Sequence, residues 1–451
     1  MNVPRTHYPV QPVATVRTRP AAPVQSVATQ HDAGWPRDQG KAHDIFARRK
    51  ARIADRFAAG QRTNSDVRAF LNDRQVRLSA ALRALGGKRS RQQADDLRDT
   101  VNAWPEASCP VLWFSKPKRV GGSRPICILP PNLKAVHYMI AAVIDAHMPR
   151  DGSLYGIPGT SRDGAARALK TLQNSGFSHL AKADIKDCFQ SIDPDSLYQL
   201  PLPTEVIRRT LDHRSLTFTR TSDANARRSG ASFGYSRGSY VSCNPSGPQG
   251  LMQGSPASNI ILAWLLGGIP REDDVAVLLC FDNIAVAGRT AEDTRAMMDT
   301  LADFFRRCPA GPLELRDCEY FSGIGDPLDF LGYSFDPAKE DPVVSPLSLG
   351  NLERSLCVAE EEYQTQRPVL PSAIWHLLRD ARSGFPAAAQ NDPHLIRLAE
   401  STAEVLRPDS GPLVEYLHEN IFAPKGTPEG DIIHAILLSH PRPCKKTNEK
   451  L

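Results

Sequence analysis

Two apolar, strand-like runs that each lead into an aspartate, far apart along the chain, constrain the fold of this sequence most. Residues 179–185, HLAKADI, have the texture of a buried strand with Asp184 at its end. Residues 275–281 and 284–287 predict a β-hairpin with Asp282-Asn283 as its turn pair. The two aspartates can meet on adjacent strands of one antiparallel sheet. Two magnesium ions about 3.5–4 Å apart need such bridging carboxylates. The pattern predicts an α+β chain built around this sheet.

Each aspartate also has a purely structural interpretation. Asp184 can cap the next helix, with Phe189 in the core, and Asp-Asn is a common turn pair without any ligand. A third segment, GLMQGSPASN, places Gln253-Gly254 in a tight loop and predicts Ser255 as the N-cap of a buried helix. This segment also fits an ordinary capped core helix. Only the three segments together favour a metal-dependent functional site over these structural interpretations.

Composition bounds the class of protein. A chain of 451 residues predicts two to four structural units. The nine cysteines form no CxxC pair, which predicts reduced thiols rather than a disulfide framework or zinc site. No apolar run is long enough to span a membrane and no signal peptide is evident, so the expectation is a cytoplasmic protein with no membrane partner.

Charge is uneven although the net charge is only +5. Residues 1–100 carry 19 Lys and Arg against 9 Asp and Glu, including the run Arg48-Arg49-Lys50 and a second cluster at Lys88, Arg89 and Arg91. Such clusters suit a phosphate backbone, and they equally suit a solvated helix face.

Sequence texture divides the chain. Residues 1–42 are predicted to be a disordered basic, Pro-rich arm, and residues 43–103 predict a set of basic amphipathic helices. A strand-like hairpin with a basic tip follows at 110–130, and Ser161 predicts the cap of a helix over 162–174. From about 345 the pattern is mostly helical.

The order of motifs resembles the palm of bacterial reverse transcriptases, the group that contains group II intron, retron and phage-defence enzymes. ADIKDCFQSI is similar to the first palm motif, GLMQGSPASN to the QG-x-P-x-S motif, and CFDNIAV stands in the place of the YxDD box. SKPKRVGGSRPICI resembles the fingers hairpin, LYGIPGTSRDGAARAL the stretch upstream of the palm, and LDFLGYSF the primer grip. The resemblance covers about 110–335.

The resemblance implies a right-hand polymerase with an RRM-like antiparallel palm. Its implied parts are a helical N-terminal extension, fingers at 104–178, palm at 179–340 and a helical thumb at 341–451. It also implies two Mg²⁺ ions, with Mn²⁺ as an alternative, and dNTPs, an RNA template or non-coding RNA, and a DNA product as partners. A homo-oligomer or a second protein partner stays open.

The resemblance also assigns roles residue by residue. Asp184, Asp282 and Asn283 form the catalytic set, and Asp184, Ile185 and Asp282 form the metal-binding set. Substrate contacts fall to Lys116 and Arg124 for the triphosphate, Phe189 as the steric gate against a 2′-hydroxyl, and Gln253 and Gly254 at the nucleotide. Primer contacts fall to Phe330, Gly332 and Tyr333.

The box departs from the family pattern. It reads Cys280-Phe281-Asp282-Asn283, so the tyrosine is Cys and the second acid is Asn. Asn offers a carbonyl oxygen but removes one negative charge, which weakens the expected metal site. A GDN version occurs in active polymerases of negative-strand RNA viruses. The lysine usual after the hairpin is not evident, and Arg316 is a weak substitute. No HNH nuclease signature and no retron VTG signature is found.

Three functions are consistent with these features. The leading expectation is a stand-alone reverse transcriptase in anti-phage defence, acting with a dedicated RNA. A template-independent or protein-primed DNA polymerase of abortive-infection type is the second. The third is a non-catalytic RNA-binding scaffold with a decayed palm, to which Asn283 and Cys280 point.

Overall fold

A computed structural model describes residues 35–86, 90–106, 110–118, 123–149, 152–221, 247–322 and 327–354. Within these ranges the α-helices are α1 (Trp35–Ala58), α2 (Asn64–Asn72), α3 (Arg74–Leu85), α4 (Arg91–Thr100), α5 (Pro131–His147), α6 (Arg162–Asn174), α7 (Cys188–Ser191), α8 (Thr204–Thr210), α9 (Ser258–Leu265) and α10 (Ala291–Arg306). The strands are β1 (Val111–Pro117), β2 (Ser123–Ile128), β3 (Leu154–Tyr155), β4 (His179–Ile185), β5 (Phe218–Arg220), β6 (Val275–Cys280), β7 (Asn283–Gly288), β8 (Leu315–Ser322), β9 (Leu328–Phe330), β10 (Tyr333–Phe335) and β11 (Val343–Val344). Short 3₁₀ turns cover Pro194–Gln199 and His213–Ser215.

The predicted helical extension is confirmed, but it begins earlier than expected, because α1 starts at Trp35 rather than near residue 43. Local capping defines its other helices. The Asp73 carboxylate accepts hydrogen bonds from the main-chain N–H groups of Gln75 and Val76 at the start of α3. Ser90 and Gln93 form a capping box at the start of α4. The predicted arm, apart from residues 35–42, lies outside the described residues.

Acidic residues of other elements neutralise part of the basic surface expected on this extension. Arg49 forms an ion pair with Asp73 at 2.5 Å, and Lys50 pairs with Asp145, a buried residue of α5. Lys50 is therefore already ion-paired in the structure, and a contact of this run with a nucleic-acid backbone stays a prediction. The pair attaches α1 to the central helix α5.

The predicted basic hairpin is confirmed as the β1–β2 pair. The two strands are antiparallel, and β5 joins β1 in parallel to form a three-stranded sheet, β2-β1-β5. The hairpin packs against α5, in which nearly every residue from Leu133 to His147 is buried. Leu133 at the start of α5 shares a core cluster with Val111, Trp113 and Cys127 of the hairpin, so this end of α5 contacts the fingers sheet.

The central sheet has five strands in the order β3-β6-β7-β4-β8. Adjacent strands are antiparallel except for β3, which runs parallel to β6. Both faces are covered. Ala181, Ala183 and Ile185 of β4 pack into the core that contains α5, α9 and α10, while Leu180 faces the core that contains α6 and β10. Burial on two sides explains why β6 and β7 are continuous apolar runs rather than alternating ones.

The predicted helix cap at Ser255 is wrong. Helix α9 begins only at Ser258, because the Ser255 hydroxyl accepts a hydrogen bond from the Ala257 N–H inside a turn and also contacts His137 of α5 at 2.6 Å. By contrast, the cap at Ser161 is confirmed, since its hydroxyl accepts from the Gly164 N–H at 2.9 Å.

Other predictions fall partly outside the described residues. The predicted thumb lies outside them beyond residue 354. Within the described ranges the cysteines are free thiols, and no helix there is both long and apolar enough to cross a membrane.

Candidate active site

Asp184 and Asp282 lie side by side at one end of the central sheet. In the β4–β7 ladder Asp184 is directly opposite Asn283, and the Ile185 N–H donates to the main-chain oxygen of Asp282 at 2.8 Å. Directly opposed residues share a face of the sheet, so Asp184 and Asn283 point the same way. The fold therefore brings together the two aspartates that the sequence separates.

The tip of the β6–β7 hairpin differs by one residue from the prediction. Cys280 pairs with Asn283, so the turn residues are Phe281 and Asp282, and Asn283 belongs to β7. Phe281 has a left-handed φ of 61°, which is uncommon for a bulky residue. Its ring packs where a side chain at Gly156 would be, only 2.5 Å from an added Cβ. The segment upstream of the palm therefore supports the turn that holds Asp282.

Burial raises the pKa values of both carboxyl groups. Burial is the largest cause for Asp282, and the charge of Asp184 raises the pKa further. Burial also raises the pKa of Asp184, opposed by hydrogen bonds from Arg316. Two carboxylates that repel each other in a partly desolvated site form a donor set for a divalent cation. The residues present therefore fit the metal that the family pattern implies.

The remaining ligands of such an ion would not come from further acidic side chains. Among the described residues no group of three or more His, Cys, Asp or Glu side chains forms a metal cage. Asn283 uses its amide N–H to donate to Asp282 Oδ1 at 2.9 Å, which orients that carboxylate. Magnesium sites in nucleotide enzymes commonly complete their coordination with water and phosphate oxygens.

The Gln253-Gly254 loop connects the fingers hairpin to the palm. The Cys127 N–H of β2 donates to the Gln253 carbonyl oxygen at 2.7 Å, and a Cβ on Gly254 would lie 2.3 Å from the Cys127 carbonyl oxygen. A few residues earlier, the Leu251 N–H donates to the Phe189 carbonyl oxygen at 2.7 Å. The main chain of this loop therefore sets the distance between the fingers and the residue predicted as steric gate.

Two cations face each other on the fingers hairpin. Lys116 and Arg124 are directly opposite in the β1–β2 register, and the charge of Arg124 partly offsets the rise in the pKa of Asp282. Like charges in direct opposition destabilise a sheet, so this arrangement is typical of an anion-binding position. Next to it Lys118 binds the Asp187 carboxylate, which ties the hairpin to the palm.

Sequence reasoning missed the Lys118–Asp187 pair and the role of Gly156. Lys118 lies in SKPK, Asp187 in ADIKD and Gly156 in LYGIPG. The motifs therefore pointed to the right segments. The pairing itself joins residues 69 positions apart. No local pattern reveals a contact of that kind.

The predicted primer grip is a tight β9–β10 hairpin. Phe330 and Tyr333 are buried in the second core, and the Tyr333 hydroxyl donates to Asp163 of α6 at 2.6 Å. Leu331 and Gly332 form the turn with φ values of 54° and 84°. A primer at this hairpin would therefore contact the turn rather than the two aromatic rings, and the contact itself stays a prediction.

The antiparallel palm sheet with two convergent carboxylates, facing a cationic fingers hairpin, defines a right-hand polymerase fold. Residues 115–334 match the family described as reverse transcriptase (RNA-dependent DNA polymerase). This part of the chain is similar to reverse transcriptase domains, a class whose defining activity is nucleotidyl transfer. No curated protein sequence matches the chain.

Solved telomerase structures are similar at low identity. Telomerase from Candida albicans in complex with a TWJ fragment of telomeric RNA shares 11% identity at a TM-score of 0.35, over 75% of this chain and 66% of that one. Apo telomerase from Candida tropicalis shares 14% identity at a TM-score of 0.38, over 74% and 63%. The chain thus spans less than two thirds of these telomerase chains.

Proposed function

We propose that the chain is an RNA-directed DNA polymerase whose catalytic centre is formed by Asp184 and Asp282. The observation that carries the proposal is the position of Asp184 at the end of β4 beside Asp282 in the adjacent β6–β7 turn, with the Ile185 N–H bonded to the Asp282 carbonyl oxygen. Two divalent ions, Mg²⁺ in the first instance, would activate a 3′-hydroxyl and neutralise a triphosphate in such a site.

The protein's own residues supply positioning and charge. Lys116 and Arg124 would bind the triphosphate, the guanidinium by two parallel hydrogen bonds. Phe189 would exclude a nucleotide that carries a 2′-hydroxyl, and the Gln253-Gly254 main chain would line the nucleotide. Holding the reactants in line is the larger part of phosphoryl-transfer catalysis.

The finer proposal is an enzyme that works with a dedicated RNA in anti-phage defence, in the cytoplasm. The basic helical extension joined to the reverse transcriptase domain supports it. Sequencing both the RNA that co-purifies with the protein and the DNA that it makes tests this proposal. Copied RNA sequence in the product supports templated synthesis, whereas random or homopolymeric tails, or DNA attached to the protein, indicate the untemplated or protein-primed alternative.

Primer extension on an RNA template with Mg²⁺ and dNTPs tests the catalytic assignment. Asp184→Asn and Asp282→Asn should each lower the rate by at least about 10³-fold, since each removes a charge that holds the cations. Asp299→Asn, an exposed residue of α10, is the matched control and should retain the wild-type rate. Full activity in either active-site variant would contradict the proposal.

Phe189→Ala tests the steric gate separately. It should raise incorporation of ribonucleotides relative to deoxynucleotides by about 10-fold or more, because the side chain that would clash with a 2′-hydroxyl is gone. Unchanged sugar discrimination would remove Phe189 from the nucleotide site and leave the catalytic assignment intact.

A further inference from the structure

We propose that Arg316 is an internal counterion, which occupies the cation-binding side of Asp184 and must leave that carboxylate before a divalent cation binds there. The inference rests on the proposed function, in which Asp184 is a metal ligand. It concerns the state of the site before divalent cations bind.

The contact between the two side chains is direct. Arg316 donates to Oδ2 of Asp184 from Nε at 2.7 Å and from Nη2 at 2.6 Å. Hydrogen bonds of this length between a guanidinium and a carboxylate are the strong, charge-assisted kind. A metal that coordinates the same oxygen has to replace them.

A β-bulge creates this contact. Lys182 of β4 is opposite Glu319 of β8, but two positions later Asp184 is opposite Arg316, three positions away on β8. An unbroken ladder would place Asp317 opposite Asp184 instead. The extra residue is accommodated by a left-handed φ of 53° at Asp317. The bulge therefore places the Arg316 guanidinium, rather than the Asp317 carboxylate, directly opposite Asp184.

The exchange changes the charge that an incoming cation meets. Asp184 and Asp282 contribute two negative charges and Asn283 contributes none, while Arg316 offsets part of that charge and is shared with the Asp317 carboxylate, 3.5 Å from its Nε. The Arg316 side chain is 43% exposed and that of Asp184 is 22% exposed, so water screens the pair only partly. Replacing Arg316 by a neutral residue should strengthen cation binding about tenfold, the scale of a partly screened unit charge.

Binding of Mn²⁺ to the protein without nucleic acid or nucleotide, followed by electron paramagnetic resonance, tests the inference without measuring activity. Arg316→Gln should bind Mn²⁺ about tenfold more tightly than wild type. The matched control is Arg295→Gln, because Arg295 stacks on Tyr320 of the same strand β8, 5.9 Å from the ring centroid. The control should bind Mn²⁺ as wild type does.

Two further variants distinguish failure of the counterion role from failure of the proposed function. Arg316→Lys keeps the charge but lacks the two-bond geometry, so it should bind Mn²⁺ with intermediate affinity, and it serves in place of Arg316→Gln if that variant does not fold. Folded Arg316 variants with wild-type or weaker Mn²⁺ binding would overturn the inference. If Asp184→Asn abolishes Mn²⁺ binding in that same experiment, the proposed function stands and only the counterion role fails. If Asp184→Asn leaves Mn²⁺ binding unchanged, the proposed function fails as well.

Discussion

Replacing Gly254 by alanine should break the contact between the nucleotide loop and the fingers hairpin. Gly254 has a φ of 109°, where an L-residue is strained by about 1–3 kcal/mol. The new Cβ would lie 2.3 Å from the Cys127 carbonyl oxygen, so the backbone must shift and the Cys127–Gln253 hydrogen bond, worth about 1 kcal/mol, is lost. The two costs together give a loss of about 2–4 kcal/mol.

The matched control is Gly159→Ala. Gly159 has a φ of 87° but no heavy atom within 4 Å of an added Cβ, so it carries the backbone strain without the clash. Guanidinium unfolding followed by circular dichroism measures the free energy of unfolding of both variants, and primer extension measures KM for dNTP. Gly254→Ala should lose more stability than the control and raise KM. Equal stability losses and an unchanged KM would refute the argument that this contact positions the loop.

Three other changes have definite expected results. Burial lowers the pKa of His137 from 6.5 to about 4. As pH falls, the unfolded chain therefore binds a proton at His137 before the folded chain does, and the free energy of unfolding decreases between pH 6.5 and pH 4. His137→Gln should reduce the loss of unfolding free energy between pH 7 and pH 5 by about 2 kcal/mol, measured by denaturation at both pH values; an identical loss in wild type would argue against a neutral buried His137. Gly156→Ala should displace the Phe281 ring and lower polymerase activity about 10-fold or more, whereas Gly152→Ala, with a similar φ and open space, should not; equal rates would count against support of the turn by Gly156. Asn283→Asp adds a negative charge beside Asp184 and Asp282, so it should lower the midpoint of thermal unfolding without metal and enlarge the increase in that midpoint that Mg²⁺ produces. A smaller increase than in wild type would exclude a charge deficit at residue 283.

Elements with strong local signals could be predicted from the sequence. β4 and the hairpin strands follow from apolar runs, and the start of α6 follows from Ser161 as its cap. The meeting of Asp184 and Asp282 required one more step, the expectation that both strands join one antiparallel sheet. Their adjacency in the structure agrees with that expectation.

Features that depend on distant contacts could not be predicted. Ser255 has the sequence of a helix cap, but His137, 118 positions earlier, takes its hydroxyl. Asp-Asn is the better turn pair by local preference, yet the turn uses Phe281, because Gly156 leaves room for its ring. Lys50 lies in a basic run, and its ion pair with Asp145, 95 positions away, has no local signal in the sequence. In the first two cases tertiary packing overrides a correct local preference.

Diffraction from crystals of the protein soaked in Mn²⁺, recorded at a wavelength where manganese scatters anomalously, tests the central claim most directly. We expect an anomalous peak within about 2–2.5 Å of a carboxylate oxygen of Asp184 and of one from Asp282, with the Arg316 guanidinium moved off Asp184. A crystal whose manganese binds elsewhere, with neither carboxylate coordinated, would contradict it.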